Sequence, residues 1–174
     1  MSSLPVYERF HSWQGEGVHL GKSAFFIRFT TTGRHSGVAR VTETTYVWDG
    51  DRRLYISGYP GKRDWIANME ATARVRVHTV EGAWYDVPAQ ARVIRDRNER
   101  IPHLLRFLDR WPMRPEAPRS LFALALSAIR LNRRLGLPWW GPFYLARTIL
   151  DRMPCAELTF SGAPTPRMTP PPNT

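Results

Sequence analysis

Apolar and polar positions along the chain change period twice, and the changes separate a run of strands from a run of helices. Residues 24–31 read A-F-F-I-R-F-T-T, short, aromatic and β-branched, and predict a strand that runs straight into a tight turn over Gly33, Arg34, His35, Ser36 and Gly37. Residues 39–48 resume the β-branched and aromatic pattern, Asp49-Gly50-Asp51 signals a hairpin, and 53–57 supplies the return strand. Together these predict a three-stranded antiparallel meander. Gly58, Tyr59, Pro60 and Gly61 break the sheet, and 62–71 takes helical spacing with Trp65, Ile66 and Met69 on one face. A second hairpin is expected over 73–80 and 83–94, where small or apolar residues alternate with charged ones, dry on one face and wet on the other.

From Asn98 the period lengthens. Ile101, Leu104, Leu105, Leu108 and Trp111 fall at helical spacing, a proline-rich break follows over 112–118, and 120–135 predicts a second helix with Arg130, Arg133 and Arg134 in its last turn, where basic residues suit the macrodipole. The aromatic cluster Trp139, Trp140, Phe143 and Tyr144 opens a third short helix that ends near Asp151, and 154–160 is a final strand. The Pro/Thr-rich tail, 162–174, has the composition of a disordered segment. The pattern therefore predicts a mainly β protein with helices, an α+β fold built on a small antiparallel barrel, without an internal repeat.

Composition narrows the class. A chain of 174 residues that is 43% apolar and 12% aromatic suits one globular domain, over 1–161 before the tail. No apolar run approaches the roughly 20 residues of a spanning helix. The N-terminus lacks the order of a signal peptide, and the lone Cys155 excludes an internal disulfide, so a cytoplasmic protein is the expectation. The net charge is +10, but only Lys22 and Lys62 are lysines, which leaves 23 of the 25 basic residues as scattered arginines with no run of five or six. That distribution argues against a nucleic-acid surface.

Acid–base chemistry is scarce. His11, His19, His35, His78 and His103 form no metal-ligand spacing, so no metal is expected. The G-R-H-S-G sequence around Ser36 is not a nucleophile elbow, and Gly15, Gly17 and Gly21 lack the strand and helix of a dinucleotide loop. What remains are two anion cradles. The loop from Thr30 to Arg40 offers hydroxyls, two glycines and the guanidinium forks of Arg34 and Arg40. The segment from Ser57 to Asn68 joins a strand end, a glycine loop with Lys62 and Arg63, and a helix start. Trp65 there reads either as a ring-facing side chain or as core.

The order T-T-T-G-R-x-S-G-x-x-R-V-T from Thr30 to Thr42, the D-G-D hairpin, S-G at 57–58, W-I-A-N-M at 65–69 and A-R-V-R-V at 73–77 resembles the deazaflavin-dependent nitroreductase family, and the likeness returns at Y-L-A-R-T (144–148) and R-M-P (152–154). The resemblance implies a split β-barrel of the flavin-binding type, which holds the deazaflavin coenzyme F-420, or alternatively FMN, and passes hydride to an electron-poor small molecule such as an enone, quinone or nitro compound. It implies that Arg34, Ser36 and Arg40 hold the anionic tail, that Ser57 and Gly58 approach the ring, and that Trp65 and Asn68 shape the pocket; His35, Gly37 and Arg63, in the same two segments, are further candidate cofactor-binding residues. Tyr46 and Tyr59 are the candidate proton donors. The alternative is a non-catalytic barrel that binds flavin, haem or a lipid-like ligand.

Three positions depart from that family. His35 stands where it has lysine, Glu43-Thr44-Thr45 replaces proline and aliphatics, and Tyr59-Pro60 replaces a lysine-bearing glycine loop. Residues 112–142 form a helical insertion, expected to serve as a lid, a homodimer surface or, through 119–135, a peripheral membrane contact.

Overall fold

The computed structural model describes residues 26–49, 52–79, 84–110, 127–128, 131–132, 134–137, 142–171 and 173. Strands β1 (Phe26–Thr32), β2 (Ala39–Trp48) and β3 (Arg53–Ser57) form the predicted meander, each antiparallel to the next. Helix α1 (Asp64–Ala71) leads into β4 (Arg74–His78) and β5 (Tyr85–Val93), then α2 (Arg97–Arg110), α3 (Pro142–Arg152), β6 (Cys155–Phe160) and a two-residue β7 (Thr165–Pro166). The strand bounds lie within two residues of those the alternation predicts.

Pairings distant in sequence turn this ribbon into a barrel. β4 pairs with β1 and with β5, while β6 pairs with β3 and with β5, so six antiparallel strands close in the order β4-β1-β2-β3-β6-β5. Closure removes the unpaired edges that an open sheet would present. Alternation decides what fills the interior. Ile27 and Phe29 of β1, Leu54 and Ile56 of β3, Val75 and Val77 of β4, Val87 and Ala89 of β5 and Leu158 of β6 all point inward and are buried, and Trp65, Ile66 and Met69 of α1 join the same core. Each large aliphatic or aromatic side chain buried there contributes about 1.5–3 kcal/mol.

A second core lies between the barrel and the helices. Val47, Tyr55 and Cys155 meet Leu104 and Phe107 of α2 and Leu150 of α3. Asp96 starts α2 by accepting the Glu99 N–H at 2.8 Å, the bond a helix N-cap makes. Burial pushes the Cys155 thiol up to about 12, so it behaves as a packed core residue.

Of the expected helix over 120–135, residues 127–128, 131–132 and 134 are described and are helical, and 135–136 turn out of it; apart from these and Leu137, the residues of 112–141, like residues 1–25, lie outside the described residues. No helix among the described residues is long and apolar enough to cross a membrane.

The tail departs from the sequence expectation. Instead of a disordered end, β7 pairs with Tyr85 and Asp86 of β5, Ser161 donates its N–H to Pro88 O at 2.9 Å, and Arg167 donates its N–H to Trp84 O at 2.8 Å. The physical reason is Pro88. It has no N–H to offer, so the partner strand can leave the ladder there, and Gly162 packs so closely that a Cβ would stand 2.7 Å from the Pro88 ring. Composition describes what a segment does alone; these contacts are made with β5.

Candidate functional site

The T-T-T-G-R-H-S-G sequence folds as a closed cradle between β1 and β2. Gly33 donates its N–H to Val38 O at 2.8 Å, Gly37 donates to Gly33 O at 2.8 Å, and the Ser36 hydroxyl accepts the Val38 N–H at 3.3 Å. Both glycines are required. Gly37 has φ +67°, a left-handed conformation, and a Cβ on Gly33 would lie 2.8 Å from Ser36 Oγ and 3.1 Å from Val38 O. Arg34, His35, Ser36 and Arg40 are exposed around the turn, and among the described residues the N–H groups of His35 and Ser36 have no acceptor.

Helix α1 fixes this cradle. Asn68, buried on the inner face of α1, accepts the Arg34 N–H through Oδ1 at 3.1 Å and donates through Nδ2 to Thr31 Oγ1 at 3.3 Å. The Arg34 guanidinium reaches Asp64, on the first turn of α1, at 3.1 Å. That pair is exposed and holds by about 0–1 kcal/mol, weakly enough for a bound anion to compete for the same guanidinium. The two cradles read from the sequence thus meet at α1.

The second cradle is less open than its sequence suggests. Arg63, expected to face an anion, donates instead to Tyr59 O at 3.1 Å and Pro60 O at 3.4 Å, because this turn leaves those carbonyls turned toward it. Gly61, with φ +111°, closes the turn by donating to Arg152 O at 3.1 Å. Ser57 is fully buried, its hydroxyl donating to Pro154 O at 2.8 Å while its carbonyl accepts the Thr44 hydroxyl. Gly58 follows on the rim, where a Cβ would stand 3.6 Å from Thr44 Oγ1 and 3.9 Å from the Trp65 ring. Trp65 packs edge-on against Phe29, ring centroids 5.7 Å apart, and so takes the core reading of its two. Tyr46 lies inside the barrel at 3% exposure, whereas Tyr59 stands on the rim at 79%.

Sequence reasoning included Thr31 and Asp64 in its two cradle segments but missed their pairing with Asn68 and Arg34. An aspartate in the first turn of a helix signals only a favourable dipole, and a threonine in a strand signals only β-propensity.

The donor set suits a polyanion: two forks, a hydroxyl, an imidazole and free backbone N–H groups gathered at a turn that admits no side chain at Gly33. Among the described residues no group of three or more His, Cys, Asp or Glu is placed to hold a metal.

A family model described as F420H(2)-dependent quinone reductase matches residues 5–110. A curated relative, 7-carboxy-7-deazaguanine synthase of Prochlorococcus marinus, is 80% identical over 25 residues, which are 14% of this chain and 11% of that protein; the match spans about a tenth of the relative's length. Solved structures that align with the chain include an F420 reductase (15% identity, 79% of this chain and 87% of that one, TM-score 0.44). A protein related to general stress protein 26, of the pyridoxinephosphate oxidase family, from Clostridium acetobutylicum also aligns (11%, 81% and 78%, TM-score 0.48). So does HutZ, the heme storage protein of Vibrio cholerae (11%, 82% and 85%, TM-score 0.45).

Proposed function

The chain belongs to the F420H(2)-dependent quinone reductase family, and is therefore an oxidoreductase of the deazaflavin coenzyme F-420; from that premise we propose that the cradle between β1 and β2 binds the anionic tail of the coenzyme. The observation that carries the reading is the closed turn at Gly33, with its exposed donors docked on α1 through Asn68. Arg34, Arg40, Ser36, His35 and the N–H groups of the turn would hold the tail, with Arg34 exchanging Asp64 for an anionic oxygen. Gly58 stands at the rim beside Trp65, next to buried Ser57, and its backbone is where a planar ring can approach most closely, since no side chain intervenes.

When bound, the reduced deazaflavin supplies a hydride to an electron-poor acceptor. The protein's part is to hold, orient and exclude water. The acceptor is a quinone, with enones and nitro compounds as further members of the same electron-poor class. Of the two candidate proton donors, Tyr59 is favoured, because its exposed hydroxyl stands on the rim while Tyr46 is enclosed in the barrel. Residues 1–161 act as one domain with 112–142 inserted. Within the insertion Leu131 and Leu135 are exposed one helical turn apart, beside exposed Arg134, which supports a contact surface for a second copy or a membrane.

Titrating F-420 with the purified protein and following its fluorescence tests the assignment. Arg34→Ala is expected to weaken binding about 10-fold or more, the worth of one charge-assisted bond of about 1.5–3 kcal/mol. Arg95→Ala, which loses only an exposed pair with Glu70, is expected to bind as the parent does. Equal effects would mean that the tail binds elsewhere.

A further inference from the structure

Thr30 and Thr31 are neighbours on β1 and point to opposite faces of the barrel wall. Inside, Thr31 Oγ1 accepts from Asn68, whose Oδ1 holds the first residue of the cradle. Outside, Thr30 Oγ1 lies 2.7 Å from His78 Nε2, and His78 Nδ1 lies 2.6 Å from Asp86 Oδ1. With Asp86 ionised, Nδ1–H donates to the carboxylate and Nε2 accepts the Thr30 hydroxyl. Arg167 of the tail completes the line, its Nη1 donating to both Asp86 oxygens at 3.1 and 2.8 Å. His78 is buried at 2% exposure.

The tail also reaches β1 directly. Arg28, the cross-strand partner of His78, donates through Nη1 to Pro171 O at 3.4 Å and to the Asn173 side chain at 3.4 Å, and through Nε to Glu43 at 2.8 Å. Residues 161–171 therefore form a strap fastened to β5 by β7 and Arg167, with its far end at Arg28 on β1. The charged groups along it are Asp86 of β5, Arg76 of β4 at 4.0 Å from Asp86, Arg28 of β1 and Glu43 of β2.

We propose that this strap positions the coenzyme cradle: the line Arg167, Asp86, His78, Thr30 fixes β1 from outside at the residue next to the one that ties the cradle from inside. The inference rests on the cradle binding the coenzyme tail. Arg167 is a positioning residue, acting through β1, whose alternation lets one strand carry both attachments. Nothing in the repeating ladder of β1 requires hydroxyls at two successive positions; their separate partners do.

The test uses the full chain carrying Arg167→Ala, Arg167→Lys or His78→Gln, with amide hydrogen exchange, a thermal melt and F-420 titration for each. Arg167→Ala should quicken exchange over both 162–171 and 31–38 and raise the F-420 Kd about 3- to 30-fold, the size of coupling that such networks carry. Arg167→Lys should recover most of both, and His78→Gln should follow Arg167→Ala. Should the buried substitution fail to fold in the melt, the half-exposed Arg167 pair decides alone. Faster exchange confined to 162–171, with Kd unchanged, would overturn the proposal. Arg34→Ala in the same titration keeps the two readings apart: weakened binding with a silent Arg167→Ala rejects only the strap's role, whereas an unaffected Arg34→Ala rejects the cradle assignment. Exchange over 31–38 is read without coenzyme and decides the coupling in either case.

Discussion

Asn68 and Arg34 meet through a backbone bond: the side-chain oxygen of Asn68 takes the N–H of Arg34 at 3.1 Å, while the Arg34 guanidinium is left to face outward toward Asp64 and solvent. The helix therefore sets where the arginine begins and leaves open what its charged end binds. Asn68→Leu removes both of the residue's bonds and leaves Thr31 and the Arg34 N–H unsatisfied, which costs about 1–3 kcal/mol for each buried group. Lowered thermal stability together with weakened F-420 binding is expected. A variant that melts lower but binds with the parent Kd would show that the bond matters to the fold alone.

If the cradle takes an anion as proposed, Asp64 would compete with it for Arg34. Replacing it by asparagine removes a negative charge from the mouth of the cradle and frees the guanidinium, at a cost in stability of no more than the about 0–1 kcal/mol of an exposed pair. Asp64→Asn is therefore expected to tighten F-420 binding about 2- to 5-fold, most clearly at low salt, where surface charges are least screened. Loosened binding would mean that the carboxylate orders the arginine more than it blocks it.

The two glycines that border the cradle and the rim differ in what they tolerate. Gly33→Ala places a methyl 2.8 Å from Ser36 Oγ and 3.1 Å from a fixed carbonyl, so the turn must open, and a loss of coenzyme affinity is expected. Gly58→Ala meets only ordinary contacts at 3.6 and 3.9 Å and keeps the fold. Paired melts and titrations check the contrast: Gly58→Ala should melt like the parent, and any loss of binding it shows then reports contact with the ring.

Stability should fall in mild acid on account of His78. Burial, the largest effect, holds its imidazole below the usual 6.5, against the pull of Asp86. The unfolded chain binds that proton near 6.5 and the folded chain does not, so the stabilisation is complete above 6.5 and is lost as pH falls toward the folded value, at up to about 1.4 kcal/mol per pH unit. His103, lowered chiefly by burial as well, acts in the same direction. Denaturant melts of the parent between pH 7 and 5 should show this slope, and His78→Gln should flatten it. An unchanged slope would place the acid sensitivity elsewhere.

The barrel strands were legible because each buries alternate residues, and period two is visible without knowing the partner: Ile27, Phe29 and Thr31 face in, and Phe26, Arg28 and Thr30 face out. The closed turn between β1 and β2 was legible because glycines at 33 and 37, between two β-branched runs, mark a tight connection. What one chain position cannot announce is its partner. Arg34 and Arg63 carry the same fork, yet one reaches an exposed aspartate and the other is taken by two carbonyls, a difference made by the turn at Gly61. Trp65 reads equally well as ring-facing or core until Phe29 is placed against it. The tail looked unstructured because its ordering comes from Pro88 and Asp86, more than seventy residues earlier in the chain.

The two threonines that face apart on β1 also limit how this segment can change in length. Inserting or deleting one residue between Phe29 and Gly33 exchanges the two faces of the strand, so the hydroxyl meant for Asn68 would turn outward and the one meant for His78 would turn in. Cradle and strap would lose their anchors at a single stroke. The spacing from the last aromatic of the core to the first glycine of the turn is thus fixed in parity, and redesign of this stretch must keep its two hydroxyls and count in twos.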